Sequence, residues 1–201
     1  MIVKCDSDGI NIAKKSLQKD GVIIFPTDTV YGIGCNPYNT KAIKRIYKIK
    51  GRDEKKSLPV LAYSKNELDK IVFFDEKSSK LADRFWPGKL TLVLKIKDEK
   101  LKETMNLSDK IAVRVPDNKC ILSLLKECKL LIGTSANISG GSSLIDSKDC
   151  NQMLSNYDIL IDHGKIHSEG ESTIVDINDN KLSIIRIGSI LEEEILDAIW
   201  V

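Results

Sequence analysis

A mixed α/β fold is what this sequence predicts, on three observations. Helix-period and strand-period apolar patterns alternate from one end to the other. The apolar runs at 22–25 and 130–133 are short and unbroken, as in strands covered on both faces. Two further runs, 172–177 and 182–187, flank the turn Asn178-Asp-Asn180, and such a hairpin argues against an all-parallel sheet.

The elements follow in order. Residues 8–19 carry a helical repeat and lead into the strand at 22–25, which Pro26 stops. Asn39 can cap a helix reaching Ile49, closed by Gly51. A strand at 58–62 precedes Ser64-x-x-Glu67, a capping box opening a short helix, and a second helix over 77–85 stops at Pro87-Gly88. Strands at 90–96 and 111–115, a helix over 118–128 and strands at 130–133 and 159–162 come next. Ser189-x-x-Glu192 caps a closing helix that runs to Ile199.

The chain has no repeat, no low-complexity tract and no linker long enough to divide it, so one domain over 1–201 is expected. With 42% hydrophobic residues it can build a core without a metal or disulfide staple. It shows no run of about eighteen apolar residues and no basic-apolar leader, which predicts a soluble, cytoplasmic protein with no membrane contact. The scattered cysteines Cys5, Cys35, Cys120, Cys128 and Cys150 are expected to be reduced and mostly buried. The two histidines, His163 and His167, exclude a Ser-His-Asp hydrolase on pattern, and no metal site is expected.

Net charge is +2, but residues 41–56 hold eight basic and two acidic side chains. A local basic strip on a nearly neutral protein suits an anionic small molecule or a modest nucleic-acid contact. It also suits a plain solvated lysine face. Only five of 31 basic residues are arginine, as if arginine were kept for bidentate grip on phosphate or carboxylate.

Three segments share one grammar, an apolar strand opening onto hydroxyls and glycines. The first is Pro26-Thr-Asp-Thr-Val-Tyr-Gly32. The second, Gly133-Thr-Ser-Ala-Asn-Ile-Ser-Gly-Gly141, can form an anion-binding nest. The third is Gly170-Glu-Ser-Thr173, with Arg186 ending the partner strand of its hairpin. Helical spacing puts Lys50 on the apolar side of its helix, so an inward amine and Arg52 could grip one anion from two directions. The alternative is a lysine snorkelling outward to complement the helix dipole. Gly32-Ile-Gly34 lacks the third glycine and following helix of a dinucleotide fingerprint.

Together with Phe85-Trp-Pro-Gly88, Ala112-Val-Arg-Val-Pro116 and Arg186-Ile-Gly188, these motifs resemble the YrdC-type threonylcarbamoyl-adenylate synthases, in order from about residue 10 to about residue 200. The resemblance implies a twisted mixed parallel and antiparallel sheet with flanking helices around a concave basic cavity. It implies formation of threonylcarbamoyl-AMP and pyrophosphate from L-threonine, bicarbonate and ATP with Mg²⁺. A downstream threonylcarbamoyl transferase complex then acts on tRNA, and a weak tRNA contact by this chain is allowed. Carried over by position, Thr29, Arg114, Asn137 and Ser172 surround threonine. Lys50, Arg52, Lys56, Ser135, Ser139 and Arg186 contact the nucleotide, with Lys50 and Arg52 stabilising charge on the phosphorus oxygens. Three departures stand out: Leu61 where a histidine often helps hold threonine, Lys110 where a threonine often touches ATP, and Ser142-Ser143-Leu144 in place of Pro-x-x-Thr. The chain is also expected to lack the extra C-terminal domain of longer relatives.

The competing reading is an RNA-binding protein of the same fold that uses the 41–56 strip. Its aromatics, 5% of residues, are not interleaved with that strip as a stacking platform requires. A carbamoyl-transfer domain of hydrogenase maturation is a third reading, usually accompanied by zinc-binding and further domains. Because a free carbamate decomposes in water, a loop must close over it, with 133–144 and 163–170 as the glycine-punctuated candidates.

Overall fold

Every helix but the last begins at an Asp, Asn or Ser whose side-chain oxygen accepts an amide of the first turn. The computed structural model describes residues 1–167, 170–178 and 181–200. Its first elements are β1 (Ile2–Lys4), α1 (Ser7–Leu17), β2 (Ile23–Phe25), β3 (Gly32–Gly34), α2 (Thr40–Lys50) and β4 (Val60–Ala62). Helices α3 (Lys65–Leu68) and α4 (Glu76–Phe85) lead to β5 (Leu90–Lys95), α5 (Glu99–Thr104) and β6 (Lys110–Arg114). Then come α6 (Lys119–Cys128), β7 (Leu130–Ile132), β8 (Thr134–Ser135), α7 (Ser147–Met153) and β9 (Ile159–Asp162). The hairpin β10 (Thr173–Asn178) and β11 (Lys181–Arg186) precedes α8 (Glu192–Trp200). No helix of the described residues is long and apolar enough to cross a membrane.

The mixed α/β class stands, with two mixed sheets in place of one. The first runs β1-β9-β2-β3-β8 and the second β11-β10-β5-β6-β4-β7. The expected hairpin is antiparallel, while β10 also pairs parallel with β5. Its turn at 179–180 lies outside the described residues. In β2, Ile23 and Phe25 enter one apolar cluster and Val22 and Ile24 another, which is why that run has no polar alternation. The smaller cluster joins α1 and α6 to β1, β2 and β9; the larger lies under the second sheet with α2, α4 and α8.

Three expectations are corrected here. Cys5 and Cys120 form a disulfide across 115 residues, their Cα atoms 5.8 Å apart, while Cys35, Cys128 and Cys150 are free thiols. That proximity arises from docking α6 against the N-terminal segment, and no local spacing signals it. Ser189 does not cap α8; its hydroxyl donates to the Gly170 and Glu171 carbonyls, and the helix starts at Glu192. Ser64 accepts the Glu67 amide, but the Glu67 carboxylate pairs with Lys70 rather than completing the box.

Candidate active site

The two sheets meet at one hollow. It holds the loop after β2, strand β8, and the site ends of β5, β6, β10 and β11, faced by the loop that follows α2. The cavity measures about 450 Å³, within the range of small-molecule sites. Thr29, Arg114 and Ser172 line it, together with Arg52, Lys56, Ser135 and Arg186. Lys55 adds a further cation and Glu171 a carboxylate, so the lining is predominantly basic. Asn137 and Ser139 are not part of the wall but of the loop beside it, and Lys50, also off the wall, ends α2.

One hydroxyl organises the first motif. Thr27 donates to the Val30 carbonyl at 2.6 Å and accepts the amides of Thr29 and Val30, pinning a tight turn. Thr29 is thereby aimed at Arg114, whose Nη1 donates to its hydroxyl at 3.1 Å. Arg114 Nε donates to the Gly88 carbonyl and Nη2 to Asp28 at 2.7 Å. Arg114 is only 6% exposed. Burial draws its pKa below the ordinary value and Asp28 opposes that shift, so the guanidinium stays charged. Three of its five N–H groups are committed, leaving two for a carboxylate.

Ser172 stands 2.9 Å from Thr91, hydroxyl to hydroxyl. Arg186 donates twice to the Ser172 carbonyl and pairs with Glu171, which also accepts from Ser143. Arg52 donates to the carbonyls of Lys56 and Ser57, again keeping donors over for an anion. Tyr31, fully buried, donates to the Gly164 carbonyl and accepts the His163 amide, tying the strand to the 163–164 loop. Burial pushes its phenol up to about 12, so it remains a neutral hydroxyl.

Lys50 is inward, as its spacing predicted, and its amine is engaged by the 135–137 segment. Its Nζ donates to the Ser135 carbonyl, the Asn137 carbonyl at 2.8 Å and Asn137 Oδ1 at 3.0 Å. Asn137 in turn donates to the Gly141 carbonyl at 2.5 Å, and its Oδ1 accepts the Ser135 hydroxyl at 2.7 Å. Ser139 is exposed, its amide held by the Lys50 carbonyl. Burial, with Arg52 nearby, lowers the Lys50 pKa to about 8. The unfolded chain therefore binds the extra proton between about pH 8 and 10.5, and the penalty for holding the ammonium is fully present below that window. Stability is expected to rise with pH across it by about 3 kcal/mol relative to Lys50→Met, measured by denaturant melts of both proteins.

Asp28, Thr91 and Glu171 are site residues to which the sequence reading gave no role. Asp28 Oδ2 is buried with no hydrogen-bond partner among the described residues. Thr91 had a signal, as a lone hydroxyl in an apolar strand. Leu61 lines the cavity as an apolar wall, and Lys110 pairs with Asp176 at 2.5 Å. The 41–56 strip does not form one surface. Arg45 pairs with Asp158, Lys50 is buried, and Arg52, Lys55 and Lys56 turn to the cavity.

Among the described residues no group of three or more His, Cys, Asp and Glu is placed to hold a metal. A second hollow of about 490 Å³ lies between α1, α6 and the 36–38 loop. Its Lys14 pairs with Glu127, Lys70 with Glu67, and Tyr38 with Asp98, so it offers a ligand little that is uncommitted.

Known proteins resemble this chain in sequence and in fold. The Sua5/YciO/YrdC family model, described as "Telomere recombination", matches residues 15–188. A Methanocaldococcus jannaschii protein provisionally named a threonylcarbamoyl-AMP synthase is 37% identical, covering 90% of this chain and 86% of its own. The Bacillus subtilis threonylcarbamoyl-AMP synthase is 35% identical over 89% of this chain and 53% of its own, so this chain spans about half that relative's length. The structure of P. abyssi Sua5 complexed with L-threonine superposes with a TM-score of 0.91 at 30% identity, covering 99% of this chain and 61% of the other. E. coli YciO superposes at 0.85 and 25% identity, covering 94% and 95%.

Proposed function

From the premise that this chain belongs to the Sua5/YciO/YrdC family, we propose that it is an L-threonylcarbamoyladenylate synthase. It would join L-threonine, bicarbonate and ATP into threonylcarbamoyl-AMP and pyrophosphate, for a downstream transferase complex that modifies tRNA. The observation that carries this reading is the single cavity itself. One side, Thr29, Arg114 and Ser172, suits an amino acid; the other, Arg52, Lys56, Ser135 and Arg186, suits a nucleotide. Relatives named for the synthase, and the threonine-bound P. abyssi protein, support the reading.

The chemistry needs no protein nucleophile. Arg114 holds the threonine carboxylate with its two remaining donors, beside the hydroxyls of Thr29, Thr91 and Ser172. The threonine amine adds to bicarbonate-derived CO2 and loses a proton, giving a carbamate. A carbamate oxygen attacks the α-phosphorus, and the bond to the β-phosphate oxygen breaks to release pyrophosphate. Arg52 and Arg186 then face charge growing on the phosphorus oxygens, where preorganised donors act most strongly. Mg²⁺ arriving with ATP would neutralise the leaving phosphates. Holding the three reactants together supplies the rest. Closure over the carbamate would fall to the 140–144 end of the glycine-rich loop, whose Ser143 donates to Glu171.

Pyrophosphate release from ATP is expected only when threonine and bicarbonate are both present, with an AMP adduct of threonylcarbamate seen by mass spectrometry. Release that ignores threonine would sink the synthase reading. Tight tRNA binding that Arg52→Ala weakens, without any adduct, would favour the RNA-binding alternative.

A further inference from the structure

Lys50 occupies the position of a phosphate contact yet has the surroundings of a structural pin. It is 1% exposed. An ammonium has three donors, and all three end on oxygens of Ser135 and Asn137. Its own carbonyl takes the Ser139 amide at 2.7 Å, so side chain and backbone together hold both ends of the loop. Asn137 Oδ1 is shared between Lys50 Nζ and the Ser135 hydroxyl, linking the buried amine to a group on the cavity wall. Turning the amine to a phosphate would leave the Asn137 carbonyl without a donor among the described residues, and the Ser135 carbonyl and Asn137 Oδ1 with one donor each.

We propose that Lys50 is a positioning residue that does not touch the nucleotide: it fastens the 135–139 loop so that Ser135 stands at the cavity wall. The inference rests on the proposed synthase reading only in taking ATP as the nucleotide. It separates the Lys-x-Arg pair into two tasks, with Lys50 holding the loop and Arg52 meeting the anion.

Reductive methylation of the wild-type protein, followed by peptide mass spectrometry with and without ATP, tests this without any variant. A buried amine reacts only through local opening, so Lys50 is expected to label at least about tenfold more slowly than Lys56. Its rate should not change with ATP, whereas Lys56 should be protected. Lys50 labelling as fast as Lys56 and shielded by ATP would overturn the proposal. A double-mutant cycle read by ATP affinity gives a second measurement. Lys50→Met with Asn137→Ala should lose no more, within about twofold, than the larger single loss, while Arg52→Ala adds its own. Lys50→Arg, too wide for three converging oxygens, should resemble Lys50→Met. Additivity between Lys50 and Asn137, or full ATP affinity in Lys50→Arg, would count against the pin. If ATP protects nothing, the synthase reading fails, while slow labelling of Lys50 still supports the pin.

Discussion

Replacing Arg114 with alanine is expected to lower the unfolding free energy by about 3–5 kcal/mol, the largest stability loss of any single change in the site. The side chain is buried against Asp28, and both ends of that ion pair are nearly sealed from water, 7% and 10% exposed. Removal leaves an uncompensated carboxylate, orphans the Gly88 carbonyl and leaves the Thr29 hydroxyl bonded to Thr27 alone. Urea melts of Arg114→Ala and of Arg114→Met with Asp28→Asn measure it. The double variant should recover much of the loss, because replacing both charges removes the stranded one. An Arg114→Ala protein within about 1 kcal/mol of wild type would mean that Asp28 finds water or another partner. In either background amino-acid binding should be lost, since Arg186, the other guanidinium at Ser172, is engaged by Glu171.

Arg52→Ala should behave in the opposite way. Its two hydrogen bonds go to exposed loop carbonyls, so stability should change little. Turnover should fall roughly 10²–10³-fold, about 3–4 kcal/mol, as when one preorganised oxyanion donor is removed. Steady-state pyrophosphate release at saturating threonine reads the effect in kcat. A loss under about tenfold would move the main stabilising role to Arg186 or Lys56.

The strands of the apolar runs were legible because burial on both faces leaves a continuous apolar stretch. Strand β9 was located to the residue, and Asn39 caps α2 where the sequence put it. Strand β3 was not legible, since Gly32-Ile-Gly34 reads as a turn. Its glycines serve close approach: a Cβ at Gly34 would sit 1.7 Å from the Ile132 carbonyl oxygen, and one at Gly32 2.6 Å from the Phe25 ring. Gly51, in contrast, is a true left-handed cap with φ of 56°. The short β1, α5 and α7 also escaped, being too brief to show a period. In the site, periodicity gave the inward turn of Lys50 but not what it meets, because its partners lie 85 and 87 residues away. Resemblance brought Arg114 and Thr29 together; only coordinates show that Asp28 joins them.

The order β1-β9-β2 has a consequence for how the polypeptide is made. The middle strand of that trio is contributed by residues 159–162, so the N-terminal strand and its neighbour both wait for a partner that leaves the ribosome last. Strands β1 and β2 must each leave the edge that β9 covers unpaired until residues 159–162 have emerged. Pairings this distant in sequence slow the search for the native topology and leave apolar edges open to neighbouring nascent chains.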